Sequence, residues 1–194
     1  MAAFDAVIFD MDGTLIEPLL NFSAIRRELG VPPEAGILEH LESLPSARSK
    51  QAHDALLAHE LAAAREAQLM PGALEAVSAV RAAGLKTALL TRNAAPAMRI
   101  VLERFPALAF ELAWSREEGP IKPEPDGILR ACRRLGAKPQ RTACVGDFHY
   151  DILAANAAGA VSVLLAAGGR PAFADEADHV IRRLDELPSL LGID

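Results

Sequence analysis

Cysteine and aromatic residues are scarce in this chain: two cysteines in 194 residues, and 5% Phe, Trp and Tyr combined. Two cysteines make no disulfide framework. Cys132 and Cys144 have neither CxxC spacing nor a neighbouring histidine, so they suggest no metal site. Cys144, inside TACVGD, reads as a small apolar filler in a buried strand, and a reducing compartment is expected. So few aromatics with abundant alanine argue for closely packed helices rather than a β-sandwich. Basic blocks are missing too. The formal net charge is −6, and Arg133-Arg134 and Arg182-Arg183 read as solvated helix faces, which disfavours a nucleic-acid partner. No uninterrupted apolar stretch is long enough to cross a bilayer. No basic region followed by an apolar signal segment opens the chain, where Asp5 and Asp10 interrupt the apolar residues. The expectation is a cytoplasmic protein with no membrane partner.

What the chain does have is alternation. Short apolar runs at Ala6 to Phe9, Leu85 to Leu90, Ala109 to Ala113, Thr142 to Val145 and Val161 to Leu165 read as strands buried on both faces. Helical patterns cover Gly72 to Ala83, Ala94 to Arg104, Pro125 to Leu135 and Tyr150 to Ala158, with Gly84, Gly136 and Gly159 as closing glycines. Strand alternating with helix indicates an α/β fold with a parallel sheet flanked by helices. The alternation lapses between Glu17 and Met70, where only helical periodicity is found: Phe22 to Leu29, Glu34 to Leu44, and a long helix from Ser46 to Leu69 with Ser46 as its N-cap. Pro18 and Pro71-Gly72 bound this stretch. The expected organisation is a catalytic core of residues 1–16 and 71–194 with a small all-helical cap, 17–70, inserted after the first strand.

In open parallel sheets, ligands bind beyond the carboxyl ends of the strands. The polar residues gather at those ends. Asp10 and Asp12 follow the first strand in AVIFDMDGTL; Thr91, Arg92 and Asn93 follow the second; Gly146, Asp147 and Asp151 follow the fourth; and SREEGPIKPEP supplies Lys122. Asp10, Asp147 and Asp151 form a hard oxygen donor set suited to Mg²⁺ rather than zinc, with no His or Cys cluster competing. Mg²⁺ and Lys122 together would offset the three carboxylates and let a phosphate dianion approach. Asp10, fixed at a strand end, suits a nucleophile and metal ligand. Asp12, turned aside by the loop, suits a general acid and then a base. Gly13 permits the turn and a close backbone approach, and Thr91 offers a hydroxyl to a phosphoryl oxygen. Arg92, Asn93 and Lys122 complete the expected phosphate-binding set.

FDMDGTL, Thr91 in LLTRN, Lys122 in IKPEP and GDFHYD resemble, in order, the four motifs of the haloacid-dehalogenase-like (HAD) phosphatases. The resemblance spans Phe9 to Asp151. It implies a Rossmann-like core, an aspartyl-phosphate on Asp10, and Mg²⁺ held by Asp10, Asp147 and the backbone carbonyl of Asp12, with Asp151 supporting the metal's waters and Lys122. The insert resembles a helical C1-type cap of phosphoglycolate-phosphatase-like members. The function implied is hydrolysis of a small phosphorylated metabolite. Dehalogenation fits poorly, because a halide needs no proton from Asp12. Phosphonate cleavage is disfavoured by Asp12, although Lys50 is a lysine in the cap. A sugar phosphomutase is the enzymatic alternative, demoted because Glu17 to Arg27 contains no histidine. A non-catalytic binding protein on the same fold is the other.

The remaining polar residues are assigned more ordinary roles. Asp151 also suits the N-terminus of the following helix. His149 and Tyr150 read as helix-start residues facing solvent or the cap. His53 and His59 read as surface or packing residues of the long helix, and Trp114 as packing. Arg26, Arg27, Arg48 and Lys50 are the cap's candidates for gripping an anion, each more simply a solvated helix residue. Oligomeric state is not legible.

Overall fold

Residues Ala6–Phe9 (β1) are buried at every position, because this strand lies in the middle of a sheet covered on both faces. It pairs in parallel with Lys86–Leu90 (β2) on one side and Thr142–Gly146 (β4) on the other, Phe9 standing opposite Leu89 and Val145. The computed structural model describes residues 3–193, so positions 1, 2 and 194 of the expected core lie outside the described residues. The full sheet runs β3-β2-β1-β4-β5-β6, all parallel, with Leu112–Trp114 as β3, Val161–Leu165 as β5 and His179–Ile181 as β6. The α/β parallel-sheet expectation is met.

Helix α1 spans Phe22–Leu29, α2 Ile37–Ser43 and α3 Ser46–Glu66; the crossover helices are Ala73–Ala82 (α4), Ala95–Arg104 (α5), Asp126–Leu135 (α6) and His149–Ala158 (α7), and Leu187–Leu191 (α8) follows β6. Gly136 and Gly159 end α6 and α7 in left-handed conformation. Three details depart from the sequence reading. Ser46 is the first residue of α3, whose N-cap is Pro45 without a side-chain hydrogen bond. The third strand is displaced to Leu112–Trp114, because Leu108 and Phe110 pack into the core from a loop. Strand β6 went unpredicted: three residues at a sheet edge are too short for a period to show.

The main core lies on one face of the sheet, where Val7, Phe9 and Leu89 meet α4, α5 and α8 through Val77, Val80, Val101 and Leu187. The other face packs Ile8, Ala88 and Cys144 against Ile128 and Ala131 of α6 and Ala154 and Ala155 of α7. A separate small cluster joins Ile25, Val31, Leu38, Leu41 and Leu56 from α1 to α3. Helix α3 serves both regions. Leu56 belongs to the small cluster, whereas Ala64 is part of the main core. The chain enters and leaves this helical insert side by side: Glu17 N donates to Gln68 O at 2.8 Å and Met70 N to Leu15 O at 2.9 Å.

Candidate active site

The sheet's carboxyl edge assembles the polar residues. Asp10 lies one residue past β1, its N–H donating to Val145 O at 2.9 Å, so strand pairing fixes its position. Lys122, buried in the loop before α6, donates from Nζ to Asp10 Oδ1 at 2.5 Å, Asp151 Oδ1 at 2.6 Å and Leu90 O at 2.9 Å. An ammonium group has three protons, and all three are accepted. Oxygens of Asp10, Asp147 and Asp151 lie within 4.8 Å of one another. Asp151 has two functions: Oδ2 accepts the N–H of Phe148 at 3.1 Å at the start of α7, while Oδ1 holds Lys122.

Two glycines make room for these carboxylates. At Gly13 (φ +75°), a Cβ would lie 2.2 Å from Asp147 Oδ2; at Gly146 it would lie 2.2 Å from Asp151 Cγ. The freedom expected of Gly13 therefore admits a carboxylate as well as a turn.

Asp12 accepts a hydrogen bond from Asn93 Nδ2 at 2.6 Å. Thr91 Oγ1 accepts from Asn93 N at 3.1 Å, which turns the loop after β2 towards the aspartates. Arg92 behaves differently from its neighbours. Its Nη2 bonds Glu39 of α2 at 2.8 and 3.0 Å, its Nη1 donates to Lys122 O, and its guanidinium lies 4.5 Å from the Tyr150 ring centre. Its side-chain hydrogen bonds run to the insert and the Lys122 backbone.

The electrostatics follow from crowded, buried carboxylates. Burial, opposed by the Lys122 charge, raises Asp10 to about 6. Burial, helped by the charges of Asp10 and Glu60, raises Asp12 to about 7. Burial with Asp10 and Asp151 nearby raises Asp147 to about 8. The charges of Asp10 and Asp151 overcome the burial of Lys122 and push its pKa up, keeping it protonated. A site whose carboxylates retain protons for want of positive charge is chemically suited to a divalent cation, and its donors are all hard oxygens.

A cavity of about 360 Å³ opens over this floor, roofed by the insert. Of the insert's cations, Arg26 lines it, but Nη1 is bonded to Pro32 O and Ala35 O at 2.8 and 2.7 Å. Lys50 is exposed and paired with Asp54, and Arg27 and Arg48 do not line the cavity. His149 stacks on Phe173 at 4.7 Å and meets Glu176, His59 pairs with Glu28, and His53 bonds back to Ser49. Trp114 lies under Arg130, a packing role.

Sequence reasoning missed Glu60. This 3%-exposed carboxylate on α3 pairs with Arg116 and accepts the N–H of Ala94 at 3.1 Å, beside the N-terminus of α5. The signal was present: Leu56, Glu60 and Ala64, spaced by four, are the buried residues of α3. A charge in that row required a partner.

A parallel doubly wound sheet with acidic strand ends and a buried lysine defines an α/β protein with its polar groups gathered at one sheet edge. The chain belongs to the haloacid dehalogenase-like hydrolases, whose family model matches residues 4–159. A haloacid dehalogenase-like hydrolase domain-containing protein of Arabidopsis thaliana is 34% identical over 84% of this chain and 71% of its own. Phosphoglycolate phosphatase of Escherichia coli is 32% identical over 64% of this chain and 52% of its own. In fold the chain is similar to a hydrolase from Pseudomonas syringae, with a TM-score of 0.80, 24% identity, and 97% and 99% of the two chains covered. The haloacid-dehalogenase-like resemblance carried by the four motifs is thus met, and a phosphoglycolate phosphatase is among the relatives. No helix among the described residues is long and apolar enough to cross a membrane.

Proposed function

We propose that this protein is a Mg²⁺-dependent phosphatase of small phosphomonoesters, with Asp10 as nucleophile and Asp12 as general acid and base. The observation that carries the reading is Lys122 Nζ, 2.5 Å from Asp10 in a floor shared with Asp147 and Asp151. Similarity to a phosphoglycolate phosphatase supports it.

Asp10, Asp147 and the backbone carbonyl of Asp12 would hold Mg²⁺, with Asp151 behind them. When bound, the ion offsets the negative charge of the floor and of the phosphoryl group. Lys122 keeps Asp10 ionised and in place. An Asp10 oxygen attacks phosphorus, the bond from phosphorus to the alcohol oxygen breaks, and Asp12 gives that oxygen its proton. Asp12 then accepts a proton from water, whose oxygen attacks phosphorus and releases Asp10 and orthophosphate. Asn93 aims the Asp12 carboxyl. Thr91, Gly13 and Lys122 surround the place of the phosphoryl oxygens, and Arg92 ties the site to the insert. Residues 17–70 act as a helical cap over the core of 1–16 and 71–194. No histidine among the described residues lines the cavity, which favours hydrolysis over a mutase. Free Cys132 and Cys144, both buried, suit the cytoplasm.

The test is phosphate release from a panel of phosphomonoesters with Mg²⁺ and with chelator. Chelator-sensitive release is expected. A folded, Mg²⁺-supplied protein silent on the whole panel would sink the reading.

A further inference from the structure

The floor of the cavity accounts for the phosphate, and its roof differs in chemistry. Leu20, Phe22, Leu38 and Leu56 line it from the insert, and Phe148 and Tyr150 from the start of α7. Phe22 and Phe148 are 51% and 53% exposed, unusually open for phenylalanine in a chain so poor in aromatics. Phe148 meets Tyr150 edge-on at 5.2 Å, which leaves an aromatic surface beside the aspartates. Two of the roof's charges are paired with opposite charges, and the third gives one nitrogen to the backbone. Arg92 is held by Glu39, Glu60 by Arg116, and Arg26 by two carbonyls. A leaving group beyond the floor would lie mostly among apolar side chains. The volume, about 360 Å³, exceeds what a two-carbon acid fills.

We infer that the substrate is a phosphomonoester whose leaving alcohol carries an uncharged, ring-sized apolar body, seated between Phe22 and the Phe148–Tyr150 pair. The inference rests on the phosphatase reading. It separates this chain from its phosphoglycolate-hydrolysing relative in what the roof accepts, while the floor chemistry is kept.

Benzyl phosphate and ethyl phosphate test it, because their alcohols leave with similar difficulty and differ in the ring. The expected kcat/KM ratio is about tenfold or more in favour of benzyl phosphate, with phosphoglycolate also below it. A ratio near one, or a preference for phosphoglycolate, overturns the inference. Exchange of labelled oxygen between orthophosphate and water needs no leaving group, so it reports separately on the floor. Exchange without ring preference refutes the substrate class and leaves the phosphatase; absence of exchange and of all hydrolysis refutes both. Phe22→Ser, at a half-exposed position outside the buried clusters, is expected to lower the benzyl-to-ethyl ratio severalfold. An unchanged ratio would show that the ring does not sit there.

Discussion

The floor and the roof of this cavity are built by opposite means. The floor places Asp10 and Asp147 at the ends of parallel strands, Asp151 in the first turn of α7 and Lys122 in the loop before α6, where backbone hydrogen bonding sets their positions and burial intensifies every charge. The roof is a small apolar cluster of three helices, joined to the core by α3, by the paired segments at Glu17 and Met70, and by two ionic contacts, Arg92–Glu39 and Glu60–Arg116. Fixed dipoles and charges suit a reaction at one atom; an apolar roof suits selection among leaving groups. On the proposed reading, the floor sets rate and the roof sets specificity.

The sharpest way to break this contrast is Asp10→Asn, which keeps the shape of the floor and removes the proposed nucleophile. Turnover is expected to fall on the order of 10⁴-fold or more while substrate still binds. Single-turnover phosphate release measures it, and near-wild-type activity would remove Asp10 from the role of nucleophile. Glu60→Ala acts where roof and floor join. Leaving Arg116 without its buried partner is expected to cost about 3 kcal/mol in urea unfolding. A loss below about 0.5 kcal/mol, the size of an exposed pair, would show that α3 is held by its apolar contacts alone.

Next comes pH. Asp10, Asp12 and Asp147 hold protons in the folded state up to about 6, 7 and 8, against 3.8 for each when unperturbed. The folded state therefore binds more protons than the unfolded one in this range. Their contribution to stability is fully present below the unperturbed value and is lost as pH rises through those folded values. Metal-free protein is expected to lose thermal stability between about pH 4 and pH 8, and Mg²⁺ to protect it increasingly over the same window. A flat or rising Tm in chelator would contradict this account of the floor. The smallest effect belongs to Lys50→Ala. Its pairing with Asp54 is exposed and i,i+4, and it lies outside the cavity. Stability and kcat/KM are expected to stay within about 0.5 kcal/mol and twofold of wild type; a larger kinetic loss would extend the site along α3.

Much of the floor was legible because its determinants are local. AVIF followed by DMDG announces a buried strand ending in a polar turn, and the order of the later segments places Thr91, Lys122, Asp147 and Asp151 at the same sheet edge. Strand β6 and the offset of β3 were not legible, because short edge segments owe their conformation to the neighbour they pair with. Arg92 shows the limit of sequence adjacency. It lies between Thr91 and Asn93, yet bonds to Glu39, 53 residues away.

The sequence by itself determined the parallel α/β architecture, the helical character of the insert and the acidic residues at the strand ends, since periodicity and strand-end polarity act over a few residues. Only the tertiary structure decided that Lys122 joins Asp10 to Asp151, that Glu60 ties α3 to Arg116, and that Phe22 and Phe148 line one cavity. These pairings join residues distant along the chain, and their partners are chosen by packing and the need to satisfy buried charge, neither of which spacing records.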